Sequence, residues 1–232
     1  MGDNFFADAL KDILEKAKEP GREEEYKQWE EAQKQLRITS LFNTSGLPDL
    51  FKQKNFSNFT ITKENKEAHQ RCYDYVMNWE VSKIPGIALF GSVGVGKSHL
   101  AAAVVSTLIN RYQVSARYAN VLHTFEKIRW SYDPNSDEKN PLPALLDCFF
   151  LVLDDLGSER PTPWALEQIS HIIDYRMSEN LPLMITSNVG SLQGLANILD
   201  ISGDSSIVVS RIIDRIKVMV GFPVKIIGKS WR

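Results

Sequence analysis

Short unbroken apolar runs alternate along this chain with longer stretches in which apolar residues recur every three or four positions. Residues 84–90, 149–153 and 183–187 are runs of the first kind, which is how strands buried on both faces read. Helical periods occupy 63–80, 97–111, 121–131 and 163–178, with a further strand at about 114–119 and a short helix ahead of 149. After 187 the pattern becomes a mixed tail. Strands alternating with helices predict a parallel sheet covered by helices on both faces.

The first 40 residues have another pattern. Residues 4–18 set Phe6, Leu10, Ile13 and Leu14 along one helical face, and Glu19-Pro20-Gly21 breaks the chain. A second charged helix over 22–37 carries Tyr26, Trp29 and Leu36 on a narrow stripe. Such a hairpin has too little apolar surface to be a stable domain alone, so its stripes must cover something: the main domain of its own chain, another copy, or a partner. The expected organisation is a helical region at 1–40, a linker at 41–58 containing Ser45-Gly46-Leu47-Pro48, and the main domain at 59–232.

Composition adds exclusions. The chain has 232 residues, 43% hydrophobic and 24% charged, as an ordinary globular protein does. No apolar run approaches the ~20 residues of a membrane span, and the acidic, interrupted N-terminus is unlike a signal peptide, so no membrane association and a cytoplasmic location are expected. Cys72 and Cys148 read as buried free thiols, and the four histidines show no metal-ligand spacing. Net charge is −2, but ten acids against seven bases fall in residues 1–40, and six bases against one acid in 205–232. A basic end can touch phosphates, although solvated surface charge is the commoner meaning.

Chemistry concentrates at the ends of the apolar runs. GSVGVGKS, residues 91–98, fits the phosphate-loop pattern G-x-x-x-x-G-K-[S/T], between a predicted strand and a predicted helix. Gly91, Gly94 and Gly96 let backbone N–H groups turn toward phosphate oxygens, and the helix N-terminus adds partial positive charge. The set expected to bind a nucleoside triphosphate, ATP once the resemblance below is drawn, is Gly91, Ser92, Val93, Gly94, Val95, Gly96, Lys97, Ser98 and the adjoining His99. Lys97 would bridge the outer phosphates and Ser98 would hold Mg²⁺. The 149–153 strand ends in Asp154 and Asp155, the first suited to ordering Mg²⁺ with Ser98 and the second to polarising an attacking water. Asn188, after Leu183-Met184-Ile185-Thr186-Ser187, can reach a γ-phosphate or the lytic water, or simply close a turn. Arg211 and Arg215, four apart on one helical face, suit phosphate neutralisation or a salt bridge to Asp214 or another acid.

GSVGVGKSHLAAA, SYD, LVLDDLGSE, WALEQISHIIDYR, ITSN, SRIIDRI and the terminal GKSWR together resemble the bacterial helicase-loader ATPases of the DnaC/DnaI type. These belong to the AAA+ class and are close kin of the IstB transposition ATPases; the resemblance covers roughly residues 41–232. It implies an α/β AAA+ P-loop fold with a parallel sheet between helices, a small helical N-terminal region and no full C-terminal lid. It makes Lys97 and Ser98 the Walker A pair, Asp154 and Asp155 the Walker B pair and Asn188 the sensor. Arg215 becomes an arginine finger acting on a neighbouring subunit's ATP, with Arg211 one turn before it, in an ATP-linked ring or spiral. Asp155 stands where most AAA+ proteins have glutamate, which favours slow turnover. The resemblance also implies a DnaB-type replicative helicase gripped by residues 1–40, and single-stranded DNA along the helix after the second strand. That helix carries His123, Lys127, Arg129 and Trp130, with Tyr132 just beyond; core-facing Phe125 and Ile128 would look the same in an ordinary helix. Phe56 and Phe59 lie near the expected adenine.

The function expected is therefore an ATPase that loads a replicative helicase onto single-stranded DNA. An IstB-like ATPase assisting a transposase on duplex DNA shares the same core. A small-molecule kinase would share the phosphate loop, but the paired acids, the sensor-like strand and the paired arginines speak against it.

Overall fold

The structure, a computed structural model, describes residues 23–79, 86–159, 161–200, 206–221, 223–228 and 230. The helix expected over 4–18 lies outside the described residues. The chain divides into two compact units, residues 1–40 and 41–232, with the boundary inside helix α1 (Glu23–Thr44). α1 opens with Glu23, Glu24 and Glu25, which suit the positive end of its dipole, and it runs on to Thr44 rather than stopping at 37. Within it the Tyr26 and Trp29 rings stack with centroids 5.9 Å apart.

In the second unit the order is α2 (Asp49–Lys52), α3 (Lys66–Met77), β1 (Gly86–Phe90), α4 (Lys97–Tyr112), β2 (Ala116–Asn120), α5 (Val121–Trp130) and α6 (Leu142–Asp147). Then come β3 (Phe150–Asp154), α7 (Pro163–Ser178), β4 (Leu183–Ser187), α8 (Leu192–Leu199), α9 (Ser206–Val220) and β5 (Val224–Lys225). The five strands are all parallel, in the order β2-β3-β4-β1-β5. Every residue of β1, β3 and β4 is buried, the consequence of helices covering both faces of a parallel sheet.

Local signals set the helix ends. Thr162 caps α7 by accepting from Ala165 N at 3.1 Å, with Pro163 in the first turn, so the expected 163–178 coincides with the helix observed. Asn120 caps α5 through His123 N at 3.2 Å. The leading part of α4 is buried on nearly every side, including Ala101, Ala102 and Ala103, because it lies between α3 and the sheet.

The mixed tail is more regular than its sequence. α9 buries Val209, Ile212, Ile216 and Met219 at helical spacing, and it packs on α7 and α8. The chain beyond Arg215 is therefore more than a basic tail: the helix continues to Val220 and β5 joins the sheet beside β1. Segment 41–58 also belongs to this unit. Ser45 is buried, and its carbonyl accepts from Tyr118 N of the edge strand β2 at 2.7 Å. Cys72 and Cys148 are buried free thiols, as expected.

Candidate nucleotide-binding site

Strand order brings the chemistry together. β4 lies between β1 and β3, so the carboxyl ends of three neighbouring strands carry the glycine loop, the run Thr186-Ser187-Asn188, and the acid pair. This is the crevice in which open parallel sheets bind ligands.

The loop needs its glycines. Gly96 opens α4 at φ +100°, and a Cβ there would lie 2.8 Å from the Phe59 ring. Gly94 has φ +83°, and a Cβ would meet Ser230 Oγ at 2.1 Å, so the C-terminal segment lies against the loop. Lys97 is buried, and its Nζ donates to Gly91 O, Ser92 O and Asn188 Oδ1, each at 2.8 Å. Its ammonium is thereby held at the loop mouth, where phosphate oxygens can replace the carbonyls.

Asp154, 4% exposed, collects donors from three elements. Oδ2 accepts from Ser98 Oγ at 3.1 Å and from Tyr118 OH at 2.5 Å; Oδ1 accepts from Thr186 Oγ1 at 2.6 Å. Burial and the adjoining carboxylate push the Tyr118 phenol well above its ordinary pKa, so it stays a donor. Asp155 adopts φ +63°, a left-handed conformation that L residues seldom take. That turn is stapled to β4: Asp155 N donates to Thr186 Oγ1 at 3.0 Å, Leu156 N to Thr186 O at 2.9 Å, and Ser187 Oγ to Leu156 O at 2.5 Å. Asn188 Nδ2 donates to Asp155 Oδ1 while its Oδ1 accepts from Lys97. One amide thus joins Lys97 to the second acid.

A cavity of about 550 Å³ opens over these groups, lined by Lys97, Ser98, Asp155, Asn188, Phe51 and Phe59 among others. Of the two phenylalanines expected near adenine, Phe59 borders it, whereas Phe56 packs behind on His69 and Tyr73. His99 also lines the cavity, but its Nε2 is 3.0 Å from Asn55 O and from Asn58 Oδ1. Burial lowers its pKa, so the neutral ring braces segment 55–58 through its Nε2–H. The Ser98 hydroxyl and Asp154 carboxylate form a hard-oxygen pair of the kind that suits Mg²⁺. No cluster of three or more His, Cys, Asp or Glu side chains able to hold a metal occurs among the described residues.

The other candidates lie elsewhere. Arg211 is exposed on α9, and Arg215 of the same helix is ion-paired with Asp174 of α7 rather than with Asp214. Neither arginine lines the cavity. On and beyond α5, Lys127 lies 3.5 Å from Glu138, and the Arg129 guanidinium lies 4.5 Å over the Trp164 ring. Trp130 and Tyr132 are exposed, at 55% and 58%. Two residues escaped the sequence reading. Tyr118 gives no signal inside a strand pattern, whereas Thr186 gives one, a hydroxyl at the end of an otherwise apolar buried run.

A parallel sheet in this order, with a glycine loop on one strand, paired acids two strands away and an asparagine between them, defines an ATP-binding P-loop protein of the AAA+ class. The chain belongs to the family of IstB-like ATP binding proteins, whose match spans residues 23–232. It is 31% identical over 172 residues to YqaM of Bacillus subtilis (strain 168), covering 68% of this chain and 53% of that one. The chain therefore spans about half the length of this curated relative. The crystal structure of DnaI matches with a TM-score of 0.67 and 30% identity, covering 80% of this chain and 94% of that chain. The crystal structure of the DnaC helicase loader matches with a TM-score of 0.64 and 26% identity, covering 78% and 100%. Among the described residues no helix is long and apolar enough to cross a membrane.

Proposed function

We propose that this protein is an ATPase that loads a replicative DNA helicase, using ATP binding to assemble on the helicase and hydrolysis to leave it. The observation that carries the reading is the likeness to DnaI and the DnaC helicase loader over almost the whole of their solved chains, joined to a site in which Asn188 links Lys97 to Asp155. Lys97 would exchange its loop carbonyls for the outer phosphates. Ser98 and Asp154 would hold Mg²⁺, which when bound supplies charge neutralisation at those phosphates. Asp155, fixed by Thr186 and Asn188, accepts a hydrogen bond from the attacking water and later its proton. Asn188 would place the same water, and Arg215 acts from a neighbouring copy on the developing phosphate charge.

Arg215 must leave Asp174 to do this, so turnover is expected to depend on assembly. On α5, Trp130 and Tyr132 offer exposed rings for stacking single-stranded bases, and Lys127 and Arg129 supply backbone-neutralising charge. Residues 1–40 are the helicase-binding region in this reading, and the site works in the cytoplasm.

A second reading, an ATPase that assists a transposase on duplex DNA, is favoured by the family match over residues 23–232. A pull-down from the source cell's lysate with ATP and Mg²⁺, comparing the full chain with one lacking residues 1–40, separates the two. Recovery of the replicative helicase by the full chain alone supports loading; recovery of a transposase, or of no helicase from a lysate containing it, refutes it.

A further inference from the structure

Tyr118, a residue of β2, touches the metal-side acid with its hydroxyl and the segment leading into the domain with its backbone N–H and its ring. Its hydroxyl donates to Asp154 Oδ2 at 2.5 Å, the oxygen that also accepts from Ser98 at 3.1 Å. Its backbone N–H donates to Ser45 O at 2.7 Å, and its ring meets Phe51 edge to face at 5.7 Å. Gly46, at φ +72°, passes so close that a Cβ would lie 2.6 Å from Tyr118 O. Ser45 is itself locked, its hydroxyl donating to Phe42 O at 2.7 Å and accepting from Leu47 N at 3.2 Å. Phe51 in turn borders the nucleotide cavity.

A carboxylate oxygen accepts through two lone pairs, and on Oδ2 both are taken, by Ser98 and Tyr118. Oδ1 is engaged by Thr186 of β4, whereas Oδ2 is the oxygen beside Ser98, so a water on a cation at Ser98 competes for Oδ2 with the two donors already there. Thr186 is anchored on Oδ1 by its second bond to Asp155 N, and Ser98 must stay beside the cation. Tyr118 is the donor that can yield.

Building on the ATP and Mg²⁺ reading of the site, we propose that Tyr118 is a positioning residue that couples that site to segment 45–52. Its hydroxyl occupies Asp154 Oδ2 until metal–nucleotide binding displaces it, and its ring and backbone pass the displacement to Ser45, Gly46 and Phe51. The segment directly succeeds α1, so the state of the nucleotide reaches the part of the chain nearest in sequence to the proposed partner-binding region.

The test uses the full chain and Tyr118→Phe, which keeps the ring, the Phe51 contact and the Ser45 bond. One readout is the ratio of affinities for a fluorescent ATP analogue with and without Mg²⁺; the other is amide hydrogen exchange across residues 45–52 with and without Mg²⁺ and ATP. Removing a competing donor from a carboxylate is expected to raise the magnesium ratio about tenfold. In the variant, ATP with Mg²⁺ no longer alters exchange across 45–52, as it does in the wild type. Ser45→Ala, which frees the segment from Phe42 O and Leu47 N but leaves the Tyr118 hydroxyl and the cavity lining in place, keeps the wild-type ratio and loses the exchange response. A Tyr118→Phe ratio within twofold of wild type, or a wild-type exchange response in that variant, overturns the coupling. A wild-type chain that binds the analogue without any magnesium dependence overturns the metal reading of Ser98 and Asp154, and the coupling with it.

Discussion

Thr186→Val isolates the hydroxyl that holds the two acids together. Thr186 is fully buried, donates to Asp154 Oδ1 at 2.6 Å and accepts from Asp155 N at 3.0 Å. Valine keeps the β-branched shape that suits β4 and deletes only this chemistry. A hydrogen bond to a charged group contributes about 1.5–3 kcal/mol, and an amide left without its acceptor costs about 1 kcal/mol more. The loss is therefore about 2.5–4 kcal/mol. For a domain of this size each kcal/mol lowers the melting midpoint by about 2–4 °C, so a loss of about 3 kcal/mol is read as about 6–12 °C.

The same substitution should weaken nucleotide binding, because Asp154 loses the contact that orients it. At an ATP concentration about 100 times the wild-type Kd, with Mg²⁺, ligand stabilises the fold by about 2.7 kcal/mol; a tenfold weaker site retains about 1.4 kcal/mol. Differential scanning fluorimetry with and without nucleotide reads both numbers. Thr186→Ser, which restores the hydroxyl, is expected to recover most of each. A valine variant with wild-type stability and a wild-type nucleotide shift would refute the stapling argument. A serine variant as impaired as valine would place the effect in the methyl group's packing instead.

Two further outcomes concern buried charges. Arg176 is fully buried and donates to Leu145 O, Cys148 O, Phe149 O and Pro182 O at 2.6–3.1 Å, tying the chain before β3 to the chain before β4. Arg176→Met should cost about 3–5 kcal/mol in urea unfolding, because several carbonyls lose a charged donor at once, and a cost below about 1 kcal/mol would contradict this. Glu159 is buried, with Oε2 accepting from Gly157 N at 2.8 Å, and desolvation raises its pKa above the ordinary 4.5. The folded state then binds its proton more tightly than the unfolded state, so this contribution is fully present below pH 4.5 and is lost as pH rises through the raised value. Glu159→Gln should therefore gain on wild type between pH 4.5 and neutrality in melting experiments, and parallel curves would contradict the shift.

Periodicity and glycine spacing are what a sequence discloses most directly. β1, β3 and β4 are buried on both faces, so each reads as a continuous apolar run, and the expected bounds fall within two residues of those observed. The phosphate loop and the two acids lie at the ends of such runs and were legible for that reason. β5 is not legible in the sequence because two residues, Val224 and Lys225, carry no period; their strand character comes from pairing with Leu89 and Phe90. Segment 41–58 reads as a linker because Ser45-Gly46-Leu47-Pro48 is turn chemistry, which does not reveal that Ser45 borders β2. Arg176 reads as surface charge on a helix until the chains before β3 and β4 converge on it. Arg215 left salt bridge and phosphate contact equally open, and only the packing of α9 on α7 supplies Asp174.

The crossing of strands explains why one short run serves both halves of the site. β4 pairs with β1 in a register that sets Ser187 opposite Phe90, and with β3 in a register that sets Ile185 opposite Leu153. Continuing both by one or two residues levels Thr186 with Asp154, and Asn188 with the start of the glycine loop. Adjacent strands lie about 4.8 Å apart, so side chains leaving the three carboxyl ends at the same level are within hydrogen-bonding reach without long loops. Successive residues of an extended strand point to opposite faces, and the run uses this: Thr186 and Ser187 secure the acid turn by different atoms, and Asn188 spans to Lys97. Were β3 and β1 direct neighbours, Lys97 and Asp155 would still be close, but no residue would stand between them to respond to both. The interposed strand lets one asparagine bond Lys97 and Asp155 together, and the sensor role proposed for Asn188 rests on that link.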